Sequence, residues 1–125
     1  MSPEELLAKA ADEMSRTGQH KGTYYNSGKA MQQSQAPVCA YGAMARAATD
    51  GKWADYAQLG AGLAPGSLEA YALVNQAARL LAKTINADLM AAIEDPFGIV
   101  TRHNDDLRTS QEDMILAFKK AAAHD

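Results

Sequence analysis

Leu6, Leu7, Ala10, Ala11 and Met14 recur at the three- and four-residue spacing of one helix face, while Glu4, Glu5, Lys9, Asp12, Glu13 and Arg16 take the opposite side. In front of this pattern stands Ser2-Pro3-Glu4-Glu5, a capping box with proline at the first helical position, and behind it stands Gly18. The pattern predicts a helix over about residues 3–17. From Gln19 to Ala36 no period survives. Gly, Ser, Gln, Lys and Asn dominate, Tyr24 and Tyr25 are the only large side chains, and a long irregular loop is expected there.

Pro37 reads as the opening of a second helix through Val38, Cys39, Tyr41, Met44, Ala45 and Ala48, closed by Asp50-Gly51. Trp53, Tyr56 and Leu59 suggest a short amphipathic turn or two before Gly60, Gly62, Pro65 and Gly66 interrupt. Ser67 is a good cap for a helix at 68–85, whose stripe of Tyr71, Val74, Ala78, Leu81 and Ile85 is widened by Ala70, Leu73, Ala77 and Leu80. Only Gln76, Arg79 and Lys83 hold a polar face, so this helix belongs in the middle. Leu89 to Ile93 reads as a short helix ended by Asp95-Pro96, residues 97–108 as irregular, and Thr109 to Glu112 as a second capping box for a last helix carrying Met114, Ile115, Phe118, Ala121 and Ala122. The expected fold is all-α: a single domain over 1–125, a small bundle of about four to five helices around the central one, with a long loop after the first.

Composition agrees. Of 125 residues, 47% are hydrophobic but only 6% aromatic, and alanine is abundant, which favours closely approaching helices over a sheet. The net charge of −3, with no dense basic stretch, makes nucleic acid a poor partner. The residues after Thr109 begin with Gln111, Glu112 and Asp113, which does not suit a recognition helix. No apolar run approaches the roughly 20 residues of a membrane span and the N-terminus is acidic, so a cytoplasmic protein is expected.

Three features stand in order along the chain: a Gly18…Gly22 turn after the first helix, Cys39-Ala40-Tyr41-Gly42-Ala43 at the second, and Asn104-Asp105 before a Thr109-capped terminal helix. This constellation resembles an uncharacterised family of small helical proteins from actinobacteria and their phages. Gln19 and His103 stand where that family's pattern carries tryptophan. The resemblance implies a compact helical fold and a phage or actinobacterial source, with no activity to carry over.

Candidate chemistry is sparse. The lone Cys39, placed in the first turn of a helix, would have its thiolate favoured by backbone N–H groups, and Cys39, His103 and Asp105 sketch a nucleophile, a base and an orienting group. Equally, Cys39 serves as a small buried apolar residue. Asn104 and Asp105 read either as ligand-orienting groups or as side chains that pin the irregular backbone around them. Asn75, at the edge of the central stripe, would need a hydrogen-bond partner if buried. His20, His103 and His124 show no metal-ligand spacing, and neither a metal nor a cofactor is expected. Trp53 and Tyr56 are expected to share a helix face over the core, whereas Tyr24 and Tyr25, without periodic partners, suit a contact surface. The leading expectation is an accessory protein that binds a partner protein, such as one of a host, through the 19–36 loop; a cysteine-dependent enzyme and a small-molecule binder with its pocket between the central helix and the long loop are the alternatives.

Overall fold

The first capping box forms as its residues dictate. Ser2 Oγ accepts the Glu5 N–H at 3.1 Å, Glu5 accepts the Ser2 N–H at 3.4 Å, and Pro3 starts α1 (Pro3–Thr17). The computed structural model describes residues 1–26, 32–86 and 88–123. Six more helices follow within them: α2 (Ala40–Ala48), α3 (Tyr56–Gly60), α4 (Ser67–Ile85), α5 (Leu89–Glu94), α6 (Pro96–Asp105) and α7 (Gln111–Ala122).

The mostly apolar α4 is central, as its sequence requires, and packs against each of the other six helices. Its buried stripe is Ala70, Val74, Ala77, Ala78, Leu81 and Ala82. Small side chains on this stripe let α1, α2, α6 and α7 approach, and the gaps are filled by Leu6, Leu7, Met14, Met44, Met114 and Phe118, all fully buried. No helix among the described residues is long and apolar enough to cross a membrane.

The structure departs from the sequence pattern at four places. Residues 97–108, expected to be irregular, are largely α6. Asp95 closes α5 and at once caps α6, its side chain accepting the Gly98 N–H at 2.9 Å with Pro96 at the first helical position. Ile99 and Val100 then bury themselves in the core, giving a helix whose polar sequence hid it. The second helix starts at Ala40 rather than Pro37, because Val38 is committed elsewhere. The last helix is capped by Ser110 with Asp113 instead of Thr109 with Glu112, one residue later. Finally, α4 is capped by Gly66, and Ser67 is its first helical residue. With α3 and α5 counted, seven helices stand among the described residues where about four to five were expected.

The loop after α1 is laid down in two stretches, with residues 27–31 outside the described residues. In the first, the chain doubles around Val38: Val38 N–H donates to the Gly18 carbonyl at 3.0 Å, His20 N–H to the Val38 carbonyl at 2.8 Å, Cys39 N–H to the Tyr24 carbonyl at 3.1 Å and Asn26 N–H to the Pro37 carbonyl at 3.0 Å. Val38 is thereby buried and its backbone fully paired. In the second, Arg46 of α2 reaches out of the helix, donating to the carbonyls of Gln33 at 3.0 Å, Ala36 at 2.7 Å and Glu13 at 3.1 Å and to the Thr17 hydroxyl. Its Nε lies 2.9 Å from the Glu13 carboxylate. Nothing in the periodicity marks Arg46, although it is the one charged residue in the α2 sequence.

Candidate functional site

The motif residues that lie far apart in sequence converge on one cleft. Gly22, Thr23 and Tyr24 from the loop, Cys39 and Ala40 at the start of α2, and Phe97, Thr101, Asn104 and Asp105 from α6 enclose about 390 Å³. The cleft therefore lies between the loop, α2 and α6, and not against the central helix.

Asn104 holds the cleft's floor. It is fully buried, and its amide nitrogen donates to the His20 carbonyl at 3.0 Å and to Asp105 Oδ1 at 3.0 Å, while its Oδ1 accepts from Gln19 Nε2 at 3.4 Å. Asp105 Oδ1 also accepts the Gly22 N–H at 3.0 Å. Lys21 completes the junction: its ammonium donates to the carbonyls of Asn104 at 2.6 Å, Asp106 at 2.6 Å and Thr109 at 2.9 Å. Those carbonyls lie at and just beyond the C-terminus of α6, where orphan acceptors and the helix dipole both favour a cation. Sequence reasoning missed Lys21; its only mark is a place within the glycine turn. The Gln19 N–H donates in turn to Gln111 Oε1 of α7 at 3.0 Å.

Cys39 is the N-cap of α2, its sulfur accepting the Gly42 N–H at 3.5 Å. It is only 6% exposed, and burial pushes the thiol up to about 11, a rise to which the negative charge of Asp105 adds and which hydrogen bonds from the Gly42 and Tyr41 backbone oppose. Desolvation outweighs the helix start, so the thiolate is disfavoured. Cys39 and Asp105 share the cleft, but His103 does not: it lines a separate opening with Thr84, Ile85, Asp113 and Lys120. His20 bonds to the Thr23 hydroxyl at 2.8 Å, and His124 lies outside the described residues. Among the described residues no group of three or more His, Cys, Asp and Glu side chains could hold a metal ion.

Gly42 explains how the loop can lie so close. A Cβ there would overlap the Tyr24 carbonyl oxygen that Cys39 N–H uses, so any side chain at 42 would lift the loop from α2. Tyr24 and Tyr25 are both half-buried and packed on the core. The Tyr24 ring meets Tyr56 edge-on at 5.8 Å, Tyr56 meets Tyr41 at 4.7 Å and Tyr71 at 4.9 Å, and Phe97 lies against Tyr41 at 4.8 Å. Tyr56 OH donates to Asn75 Oδ1, which supplies the partner Asn75 requires. Trp53 stays outside α3 and does not share a face with Tyr56 over the core; Tyr56 is nearly buried, whereas Trp53 is 39% exposed. At the cleft's rim this aromatic cluster surfaces in Phe97, 43% exposed. Burial raises the pKa values of Tyr24 and Tyr41, and the negative charges of Asp55 and Asp95 respectively add to that rise.

A family model covering residues 1–124 matches the chain, described as a family of unknown function, DUF6197, and the chain belongs to that family. No curated protein and no solved structure matches it.

Proposed function

We propose that this is a small accessory protein of the phage-type or actinobacterial kind that the motif resemblance implies, working in the cytoplasm by binding a partner protein at the Cys39 cleft. The observation that supports this is Phe97, a large ring left 43% exposed yet held by contact with Tyr41, beside a cleft whose other lip is Tyr24 and whose rim carries Asp105. Rigid, partly exposed aromatics are the usual anchors of protein interfaces. The contact surface thus centres on Tyr24, Phe97 and Asp105, with Asn104 fixing the floor beneath them and Tyr25 behind them against the core. Aromatic faces beside carboxylates favour a cation, so the partner presents a Lys or Arg side chain.

A photoreactive phenylalanine analogue at position 97, expressed in the native host, is expected to give one discrete adduct with a protein, whereas the same analogue at Leu107, two residues beyond the end of α6, gives none. Phe97→Ala should then weaken binding of the purified partner by about tenfold or more. Absence of an adduct, or the same adducts from both positions, would overturn the reading.

A second reading, a small-molecule binder, draws on the same cavity of about 390 Å³, within the usual range for ligand sites. It predicts amide shifts at Gly22, Ala40 and Thr101 on adding a small organic cation such as phenethylammonium. The cysteine-enzyme alternative gains no support from a buried, protonated thiol whose nearest charged neighbour in the cleft is Asp105.

A further inference from the structure

The short helix α5 turns small residues inward and large ones outward. Ala92 is fully buried and Ala91 packs against the core, while Met90 is 62% exposed and Ile93 59% exposed. Three residues apart, Met90 and Ile93 are neighbours on one helix face. Phe97 follows four residues after Ile93, across the single-residue break at Asp95, so its Cα lies within about 14 Å of the Ile93 Cα however the two helices are angled. A singly exposed apolar side chain is ordinary on a protein surface. Here three large ones fall within eight residues, and α4 and α6, against which α5 packs, leave them uncovered.

The same stretch holds the chain's charge imbalance. From 88 to 105 the acidic residues are Asp88, Glu94, Asp95 and Asp105 and the only Lys or Arg is Arg102, a net charge of −3. That is the net charge of the whole chain, so the remainder balances. Arg102 lies 3.6 Å from Asp95. Among the described residues Asp88, Glu94 and Asp105 form no ion pair, whether with Arg79 or Lys83 of the neighbouring α4 or with any other cation. An apolar strip edged by unpaired carboxylates complements a helix whose own apolar stripe is flanked by Lys and Arg. The carboxylates also repel an anionic bilayer surface, which favours a protein over a membrane as the occupant.

We propose that α5 and the first turn of α6 form a docking surface for a basic amphipathic helix of the partner protein. The apolar stripe of that helix lies on Met90, Ile93 and Phe97, and its Lys or Arg side chains meet Asp88, Glu94 and Asp105. This rests on the reading that Phe97 anchors a partner, and extends the contact from one cation at the cleft to a helical element across α5.

The probe is a synthetic peptide of leucine and lysine patterned as an amphipathic helix, titrated into the full chain with amide shifts as the readout. Saturable shifts are expected at residues 89–98, and none with a scrambled peptide of the same composition or with glutamate in place of lysine. Ile93→Ser, Glu94→Lys and Phe97→Ala should each weaken binding by about tenfold. Ile93 and Glu94 are exposed, so their substitution should leave the unfolding midpoint where it is. If Phe97→Ala weakens binding but Ile93→Ser and Glu94→Lys do not, the cleft reading stands and the α5 surface is overturned. If Phe97→Ala alone is silent, the Phe97 anchor falls, and with it the proposal. Equal binding of the scrambled peptide, which would reduce the attraction to charge, or shifts at 89–98 with anionic lipid vesicles in place of the peptide, would also overturn it.

Discussion

Residues 19–22 and residues 32–36 are both irregular backbone laid across helices, yet they are held by different chemistry. The first stretch is pinned by a neutral buried amide, Asn104, together with a half-buried ammonium, Lys21, that meets only carbonyl oxygens. The second is pinned by a fully buried guanidinium, Arg46, which spends four hydrogen bonds on α1 and the loop and one ion pair on Glu13. An amide removed leaves polar groups that water can still partly reach. A buried cation removed leaves a carboxylate and several carbonyls without their donor, so the cost is set by the orphaned partners rather than by the lost bonds.

The difference can be broken most forcefully at Arg46. Arg46→Met is expected to lower the unfolding free energy by about 3–5 kcal/mol in urea melts, the usual penalty for stripping one member from a buried ion pair. Adding Glu13→Gln should recover part of that loss; if Arg46→Met costs under about 1 kcal/mol, the guanidinium is not the anchor of the second stretch. Asn104→Ala comes next, at about 1–3 kcal/mol. Hydrogen exchange should quicken at residues 19–26 in this variant and remain as in the wild type at 32–36, whereas Arg46→Met shows the reverse. Identical exchange patterns in the two variants would mean that the loop is one unit, not two.

Lys21→Met should cost less, about 1 kcal/mol, because the charge sits over a helix end that water can partly solvate in its place. Smallest at neutral pH is Cys39→Ala, whose effect lies in the alkaline range. Burial raises the folded thiol to about 11, so the folded state holds its proton where the unfolded chain has begun to lose it. Stability is thus full below the ordinary thiol range and falls as pH rises through it towards about 11. Removing the thiol should flatten that part of the pH profile, with the raised phenols of Tyr24, Tyr41 and Tyr56 still contributing above it. Native Cys39 should react with iodoacetamide at pH 8 far more slowly than the urea-unfolded chain; a comparable rate would place the sulfur at the surface as an activated thiolate.

Much of the helical framework was legible along the chain because it is written in local terms. Ser2, Pro3 and Glu5 state the start of α1 within four residues, and the stripe from Ala70 to Leu81 states the central place of α4. Asn104 and Asp105 also stood out as short polar groups before a capped helix. What they do there was open, since pinning the loop and orienting a ligand require the same residue types; the pinning is visible only in the positions of Gln19, His20 and Gly22.

Where two local solutions compete, the tertiary structure chose. Thr109-Ser110-Gln111-Glu112-Asp113 contains two overlapping capping boxes, and the later one forms, with Thr109 buried and its carbonyl taken by Lys21. Pro37 and Val38 are acceptable first residues of a helix, but their backbone groups are claimed by residues 18–26, which no periodicity reveals. Phe97 to Asp105 is helical because Ile99 and Val100 find the core and α4. Arg46 is invisible as an anchor until Glu13, Thr17, Gln33 and Ala36 surround it. Helix starts and buried stripes depend on neighbours within a turn or two, so the sequence by itself determined them. The course of the loop, the seclusion of Cys39 and the separation of His103 from it depend on contacts between residues tens of positions apart, and those exist only once the helices have packed.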